Sequence, residues 1–297
     1  MIEVPDALAD SHRLHGGGAS RAFIAGLPGR TARFLDRWEL RQDGPPLHGM
    51  VALALPVRGR DGTPAVLKLQ PLDEETAGEA DALRIWDGDG AARLLGHDPE
   101  TGTMLLERLD FGRPLAAEPD SREAVRILAE LLARLTAGPA PAGMRRLGDL
   151  AAEMTRDAPD AVRALADEAG RRLLLDCAAA VREVADEPGD RLLHWDLHYG
   201  NVLAAEREPW LAIDPKPLAG DPGFDLFPAL VNRYDPAETL WRFDLMTETL
   251  GLDRERSRAW TLGRVLQNAL WGLEDADGDG ELDEEQAAIA RALLGRG

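Results

Sequence analysis

In LLHWDLHYGNVL an apolar run ends at His194, and Asp196 and Asn201 then stand five residues apart in a polar loop before the apolar pair that begins at Val202. A turn follows, and the strand-like run WLAI ends in Asp214. Two carboxylates and one carboxamide are thereby placed at the mouths of short buried strands. Phosphoryl transfer needs such a set: a carboxylate to orient an attacking hydroxyl and accept its proton, and hard oxygen donors for Mg²⁺. Singly, an Asp and an Asn in a polar loop mean no more than a turn. The order carries the reading: Asp, Asn after five residues, Asp after a strand.

Lys68 stands in the middle of AVLKLQ, an otherwise apolar strand. A strand-edge lysine would send its ammonium to solvent along an apolar stem. Beside the Asp, Asn, Asp set, a phosphate-binding lysine held by a carboxylate of the next helix is the better reading. Glu79 lies eleven residues on, inside that helix, with Glu74 and Glu75 as competitors near its start, where the helix dipole also favours acids.

The elements that must position these groups fall into two groups. Residues 1–36 mix short helical signals with a break at Gly16-Gly17-Gly18. RWELRQ from Arg37, MVALALPVR from Met50 and PAVLKLQ from Pro64 read as strands joined by DGPPLHG and GRDGT, an antiparallel meander. A helix is expected from about Glu74 to Trp86, then ARLLGHD and TMLLERL as two more strands around a turn at Pro99–Gly102. Beyond Asp110, Asp120 with Glu123 forms a capping box that opens a helix through Thr136, striped by Val125, Leu128, Leu132 and Leu135. Helical patterns recur at 146–156, 160–186, 236–250, 255–272 and 284–294, and short apolar runs fill 186–235. The expectation is an α+β chain: a five-stranded antiparallel lobe over 1–108 with a helical N-terminal extension, then a larger helical lobe over 109–297.

The blocks LPVRGRDGTPAVLKL, EADALRIWDGDGAARLL, LLERLD, HWDLHYGNVL and REPWLAIDPKPLAGDPGFDL resemble the aminoglycoside phosphotransferases, in particular their streptomycin 6-phosphotransferase and hydroxyurea phosphotransferase group. The likeness runs from about Trp38 onward. It implies the two-lobed protein-kinase-like fold, with ATP and Mg²⁺ as cofactors. By the same resemblance Asp196 is the catalytic base, and Asn201 and Asp214 are the magnesium ligands. Lys68, fixed by Glu79, meets the α- and β-phosphates. The hinge Leu106–Leu109, with Glu107 and Leu109, holds the adenine through its backbone. His194 organises the catalytic loop and Asp225 buttresses it, while DPK at 214–216 stands where protein kinases carry Asp-Phe-Gly. Two features depart from the pattern. Trp195 occupies a position where members usually carry glycine, which bears on the shape of the acceptor pocket. The phosphate-covering loop QDGPPLHG has two prolines and only Gly44 and Gly49, so neither glycine is assigned a phosphate contact; there is no Walker A signature either.

Bulk properties narrow the partners. With 34 basic and 53 acidic residues the formal charge is −19, which repels nucleic acid and anionic lipid and suits a cationic acceptor. The single cysteine, Cys177, excludes an internal disulfide and reads as a buried inert thiol in LLLDCAAAVREVA. No apolar stretch is long enough to span a bilayer, and the first residues lack a signal peptide's basic and apolar regions, so the cytoplasm is the expected location. The acidic segment 275–286 nearly fits a calcium loop but ends in Gln286 instead of a bidentate glutamate, and is read as a turn between helices. HGGGAS at 15–20, without a G-x-S-x-G elbow, is read as a connection. Trp86, Trp210 and Trp271 are read as core, and His198 as a residue that orients the loop or faces substrate. The function expected is transfer of the ATP γ-phosphoryl group to a hydroxyl of an aminoglycoside such as streptomycin. The alternatives are hydroxyurea or another small sugar or alcohol as acceptor, or a nucleotide-binding module without catalysis, for which Trp195 is the motive.

Overall fold

The computed structural model describes residues 2–15, 18–274 and 282–296, and its packing divides the chain into two units, Met1–Asp110 and Phe111–Gly297. In the first unit α1 (Asp6–His15) and α2 (Gly18–Arg37) precede the strands β1 (Arg41–Gln42), β2 (Leu47–His48), β3 (Leu53–Arg58) and β4 (Pro64–Leu69). Then come α3 (Glu79–Trp86), β5 (Leu94–Asp98) and β6 (Thr103–Glu107). The sheet is antiparallel in the order β1-β3-β4-β6-β5, with β2 also on β3. Alternation builds its core. Leu53, Leu55 and Val57 of β3 and Ala65, Leu67 and Leu69 of β4 share one buried cluster with Leu8, Phe23, Leu27 and Phe34 of the two helices.

The helical N-terminal extension is sharpened here, and three other expectations change. Residues 1–36, which show only broken helical signals, form α1 and a twenty-residue α2 that carries Pro28 inside it; the apolar stripe buried against the sheet outweighs the local breakers. RWELRQ is not one strand: α2 runs to Arg37, the chain reverses at Glu39 with φ +51°, and only Arg41–Gln42 pairs. DGPPLHG is not a free connection, because Leu47 and His48 pair with β3, and the reversal is made by Gly49 donating to the Ala52 carbonyl at 3.0 Å. β1 and β2 are two pieces of one edge strand, interrupted where Pro45 and Pro46 have no N–H to donate. α3 starts only at Glu79, since Asp73 draws the preceding residues into a turn by accepting from the Glu75 and Thr76 amides at 3.0 Å.

In the second unit β7 (Asp110–Pro114), which begins at the unit boundary, leads to α4 (Ser121–Leu135), α5 (Leu147–Ala161) and α6 (Glu168–Val184). The strands β8 (Arg191–Leu193), β9 (Val202–Ala204), β10 (Trp210–Ala212) and β11 (Leu218–Gly220) follow. The chain ends with α7 (Phe227–Val231), α8 (Thr239–Leu250), α9 (Arg254–Glu274) and α10 (Glu284–Leu293). Asp120 caps α4 by accepting from the Arg122 and Glu123 amides, and Val125, Leu128, Leu132 and Leu135 are buried. The short strands form the sheets β7-β9-β10 and β8-β11, with the β9–β10 and β8–β11 pairs antiparallel. Trp271 departs from the core reading and is 42% exposed, whereas Cys177 is fully buried and burial pushes its thiol up to about 12. Of the acidic segment 275–286, residues 275–281 lie outside the described residues, as do the glycines at 16 and 17. Among the described residues no helix is long and apolar enough to cross a membrane.

Candidate active site

The first unit holds one half of the expected site. Lys68 alternates with Leu67 and Leu69 and so lies on the sheet face opposite α1 and α2. There its Nζ donates to both carboxylate oxygens of Glu79, at 2.6 and 2.8 Å. Gln70, two residues along the same face, donates to Glu79 Oε2 at 2.6 Å. Lys68 and Glu79 are 6% and 1% exposed, so each charge depends on the other. Glu74 and Glu75 precede the helix. Glu107 ends β6 opposite Ala65, with its N–H donating to the Arg93 carbonyl at 2.9 Å; Leu109 is buried. Between them Arg108 joins Arg58 on Asp43, both at 2.8 Å, and the two guanidinium groups hold that carboxyl below its usual range.

The second unit holds the other half. The β9–β10 hairpin pairs Val202 with Ala212, and the Ile213 amide donates to the Asn201 carbonyl at 2.9 Å. This register sets Asn201 beside the Ile213–Asp214 step. Asn201 Nδ2 donates to the Asp196 carbonyl at 2.9 Å, which turns the carboxamide oxygen away from that carbonyl. His194 links the two segments: its ring accepts from the Asp196 amide at 3.4 Å through Nδ1 and donates to the Ile213 carbonyl at 3.0 Å through Nε2. That bonding requires a neutral ring, and complete burial holds its pKa down to about 4. The Lys216 amide donates to the His194 carbonyl at 3.0 Å, and Lys216 Nζ lies 3.5 Å from Asp196 Oδ2. His198 turns inward to its own loop, its Nδ1 accepting from the Gly200 amide at 3.0 Å.

Asp225 supports this loop from below the backbone. Its Oδ2 accepts from the His194 amide at 2.8 Å. Full burial raises its pKa to about 7 against the pull of that N–H group. The DPGFD turn reaches this place because Gly223 packs its backbone on α9, where a Cβ would meet Ser257 Cα at 2.7 Å. Trp195 has φ +66° and Asp214 φ +60°, left-handed conformations that cost a non-glycine residue about 1–2 kcal/mol. Trp195 is nonetheless 1% exposed: the Arg145 and Arg264 guanidinium carbons lie 4.5 and 4.9 Å from its ring, and Trp271 packs at 6.0 Å.

Asp196, Asn201, Asp214, His194 and Asp225 are thus brought together in one unit, and Lys68 with Glu79 in the other. Sequence reasoning missed Gln70, Lys216, Arg145 and Arg264. Gln70 and Lys216 had a usable signal, each standing two residues from a predicted site residue. Arg145 and Arg264 had none, because no local spacing ties them to Trp195.

The family described as aminoglycoside/hydroxyurea antibiotic resistance kinase matches residues 37–276. A hydroxyurea phosphotransferase of Kitasatospora aureofaciens is 61% identical, over 100% of this chain and 87% of its own. A streptomycin 6-kinase of Streptomyces glaucescens is 55% identical, over 99% and 98%. Among solved structures, a thermostable mutant of aminoglycoside phosphotransferase APH(4)-Ia bound to ADP and hygromycin B superposes with a TM-score of 0.61 at 14% identity, covering 90% of this chain and 98% of that one. A choline/ethanolamine kinase family protein from Mesorhizobium loti gives 0.59 at 20% identity, over 85% and 89%. The fold is accordingly protein-kinase-like, and the chain belongs to the aminoglycoside/hydroxyurea antibiotic resistance kinases.

Proposed function

We propose that this chain transfers the γ-phosphoryl group of ATP to a hydroxyl of an aminoglycoside such as streptomycin, inactivating it. The observation that carries the reading is the gathering of Asp196, Asn201 and Asp214 by one neutral histidine and one hairpin register. The Asp196 carboxylate receives the proton of the acceptor hydroxyl as that oxygen bonds the γ-phosphorus. The bond from the γ-phosphorus to the β–γ bridging oxygen breaks, and ADP leaves. Lys68, held by Glu79 and Gln70, binds the α- and β-phosphates, and the backbone of Glu107 and Leu109 takes the adenine. The first unit is in this account the nucleotide lobe, and the second the catalytic and acceptor lobe. The bound ADP of the hygromycin-complexed neighbour supports the choice of nucleotide.

Asn201 and Asp214 fit Mg²⁺, because that ion takes one or two protein oxygens and completes its shell with phosphates and water. When bound, the ion neutralises charge on the β- and γ-oxygens.

A net charge of −19 favours the cationic streptomycin class. The 61% identity to a hydroxyurea phosphotransferase supports a second acceptor, hydroxyurea, for the same machinery. Burial of the Trp195 ring removes the motive for a silent nucleotide binder, since the ring packs inside its own unit. ADP release from Mg·ATP with streptomycin, hydroxyurea and small sugars as acceptors tests the reading. Turnover with streptomycin that Asp196→Ala abolishes is the expected result. Turnover with hydroxyurea alone would move the assignment to the second acceptor, and Asp196→Ala with near wild-type rates would remove the base.

A further inference from the structure

The reversal between β2 and β3 is fastened to the N-terminal helix. Ser11 Oγ of α1 donates to the Met50 carbonyl at 2.8 Å, and His12 Nε2 donates to the Val51 carbonyl at 3.0 Å. α1 is a firm anchor for these bonds. Leu8 is fully buried in the cluster beneath β3 and β4, and the His12 ring is 4% exposed against Phe23 at 5.3 Å. The tip has little apolar hold of its own, because Met50 and Val51 are 67% and 41% exposed. Its placement therefore depends on hydrogen bonds: the Gly49 to Ala52 turn and the two bonds from α1.

The tip also lies along β3 from the position of Lys68. Ala54 of β3 is directly opposite Lys68 of β4. Val51 lies three residues farther along the chain, about 10 Å at the usual rise per residue of a strand. α1 and α2 cover the sheet face of Leu53 and Leu55, whereas Lys68 occupies the other face. α1 thus grips the tip from the side that Lys68 leaves unused. The family match begins at residue 37, so α1 lies outside it.

We propose that α1 is a nucleotide-positioning element: Ser11 and His12 hold the β2–β3 tip over the phosphates that Lys68 binds. The inference rests on the reading of Lys68 as a phosphate ligand. Ser11 and His12 touch neither substrate nor Lys68, and act through the Met50 and Val51 backbone.

The test uses the full chain with Ser11→Ala and His12→Phe combined, which keeps a ring against Phe23 and removes both donors, and His12→Gln, which keeps a donor. Affinity for MgADP is measured by calorimetry, with KM for ATP, KM for the acceptor and kcat from ADP release. Amide exchange is followed over residues 47–54. The double variant is expected to weaken MgADP and raise KM for ATP roughly three- to tenfold, the span one or two modest hydrogen bonds support. The acceptor KM and kcat should stay within about twofold, and exchange should quicken at the tip and not in β4 or β6. His12→Gln should lie near wild type, a rescue that a merely structural histidine would not show. Variants that match wild type in nucleotide affinity would overturn the tether while leaving the kinase reading intact. Wild-type protein that binds no MgADP, or a Lys68→Met variant that binds it undiminished, would overturn both.

Discussion

Lys68 and Glu79 allow stability and function to be pulled apart in one double-mutant cycle. Both side chains are buried, and Lys68 Nζ meets the two carboxylate oxygens of Glu79 at 2.6 and 2.8 Å. Removing one partner strands the other in a poorly solvating interior, at about 3–5 kcal/mol. Glu79→Leu should be the costlier single change, since it also takes the acceptor from the Gln70 amide, worth about another 1 kcal/mol. Lys68→Met with Glu79→Leu removes both charges and refills most of the volume. The double variant should therefore retain only the roughly 1 kcal/mol deficit of Gln70. At about 4 °C per kcal/mol for the unit Met1–Asp110, each single variant melts roughly 12–20 °C low while the double falls only about 4 °C. Differential scanning calorimetry reads the melts, and ADP release reads activity, which should be lost in the recovered double variant as in the singles. A double variant as unstable as the sum of its singles would refute the buried-pair argument. A double variant that still turned over ATP would refute the phosphate role.

Three further outcomes follow from the loop around Asp196. Trp195→Gly relaxes a left-handed residue, gaining about 1–2 kcal/mol, but empties a site whose aromatic is worth about 3–5 kcal/mol; calorimetry should show a net loss of about 2–3 kcal/mol, and a stabilised variant would sink the packing account. Asp225, raised to about 7, keeps in the folded state a proton that the unfolded chain loses near pH 4, so its contribution to stability falls as pH rises from 4 to 7. Asp225→Asn deletes that slope, and its melting point relative to wild type should climb over the same window, by up to about 4 kcal/mol in stability; parallel curves from pH 4.5 to 8 would show that Asp225 is not perturbed by burial. His194, lowered to about 4, works in the opposite sense: its contribution grows between pH 4 and 6.5, so the asparagine variant should gain stability with pH where wild type is nearly flat. Lys216→Met removes the cation 3.5 Å from Asp196 and should lower kcat roughly tenfold with a smaller change in KM for ATP, measured by ADP release, whereas an unchanged kcat would make the contact incidental.

How far the sequence discloses this molecule depends on the range over which each feature is decided. Asp120 caps α4 within three residues, and Lys68 finds Glu79 within eleven, so local order alone exposes them. The broken edge strand is less accessible. The strand propensity of WELRQ is overridden because Phe34 and Leu40 are drawn under the sheet, which carries α2 on to Arg37 and leaves two residues to pair. The tie between Ser11 and Met50, and the one between His12 and Val51, cross 39 residues and run from side chain to backbone, so no residue pattern at either end announces them.

Trp195 shows the same limit at the candidate site and explains it. A glycine is the expected occupant there because the backbone at φ +66° suits a residue without a Cβ. The sequence reader sees the departure and infers an altered pocket, since bulk beside Asp196 has to go somewhere. Where it goes is set by Arg145 and Arg264, which approach the ring to 4.5 and 4.9 Å from parts of the chain 50 and 69 residues away in number. Each guanidinium contact contributes about 0.5–2 kcal/mol when desolvated. Together with the buried ring they exceed the 1–2 kcal/mol of backbone strain. The loop that carries Asp196 is therefore held by Asp225 through the His194 amide and by a cation–aromatic stack through the Trp195 side chain. A position that glycine would fill by yielding is filled here by packing, and the carboxylate next to it inherits a stiffer support.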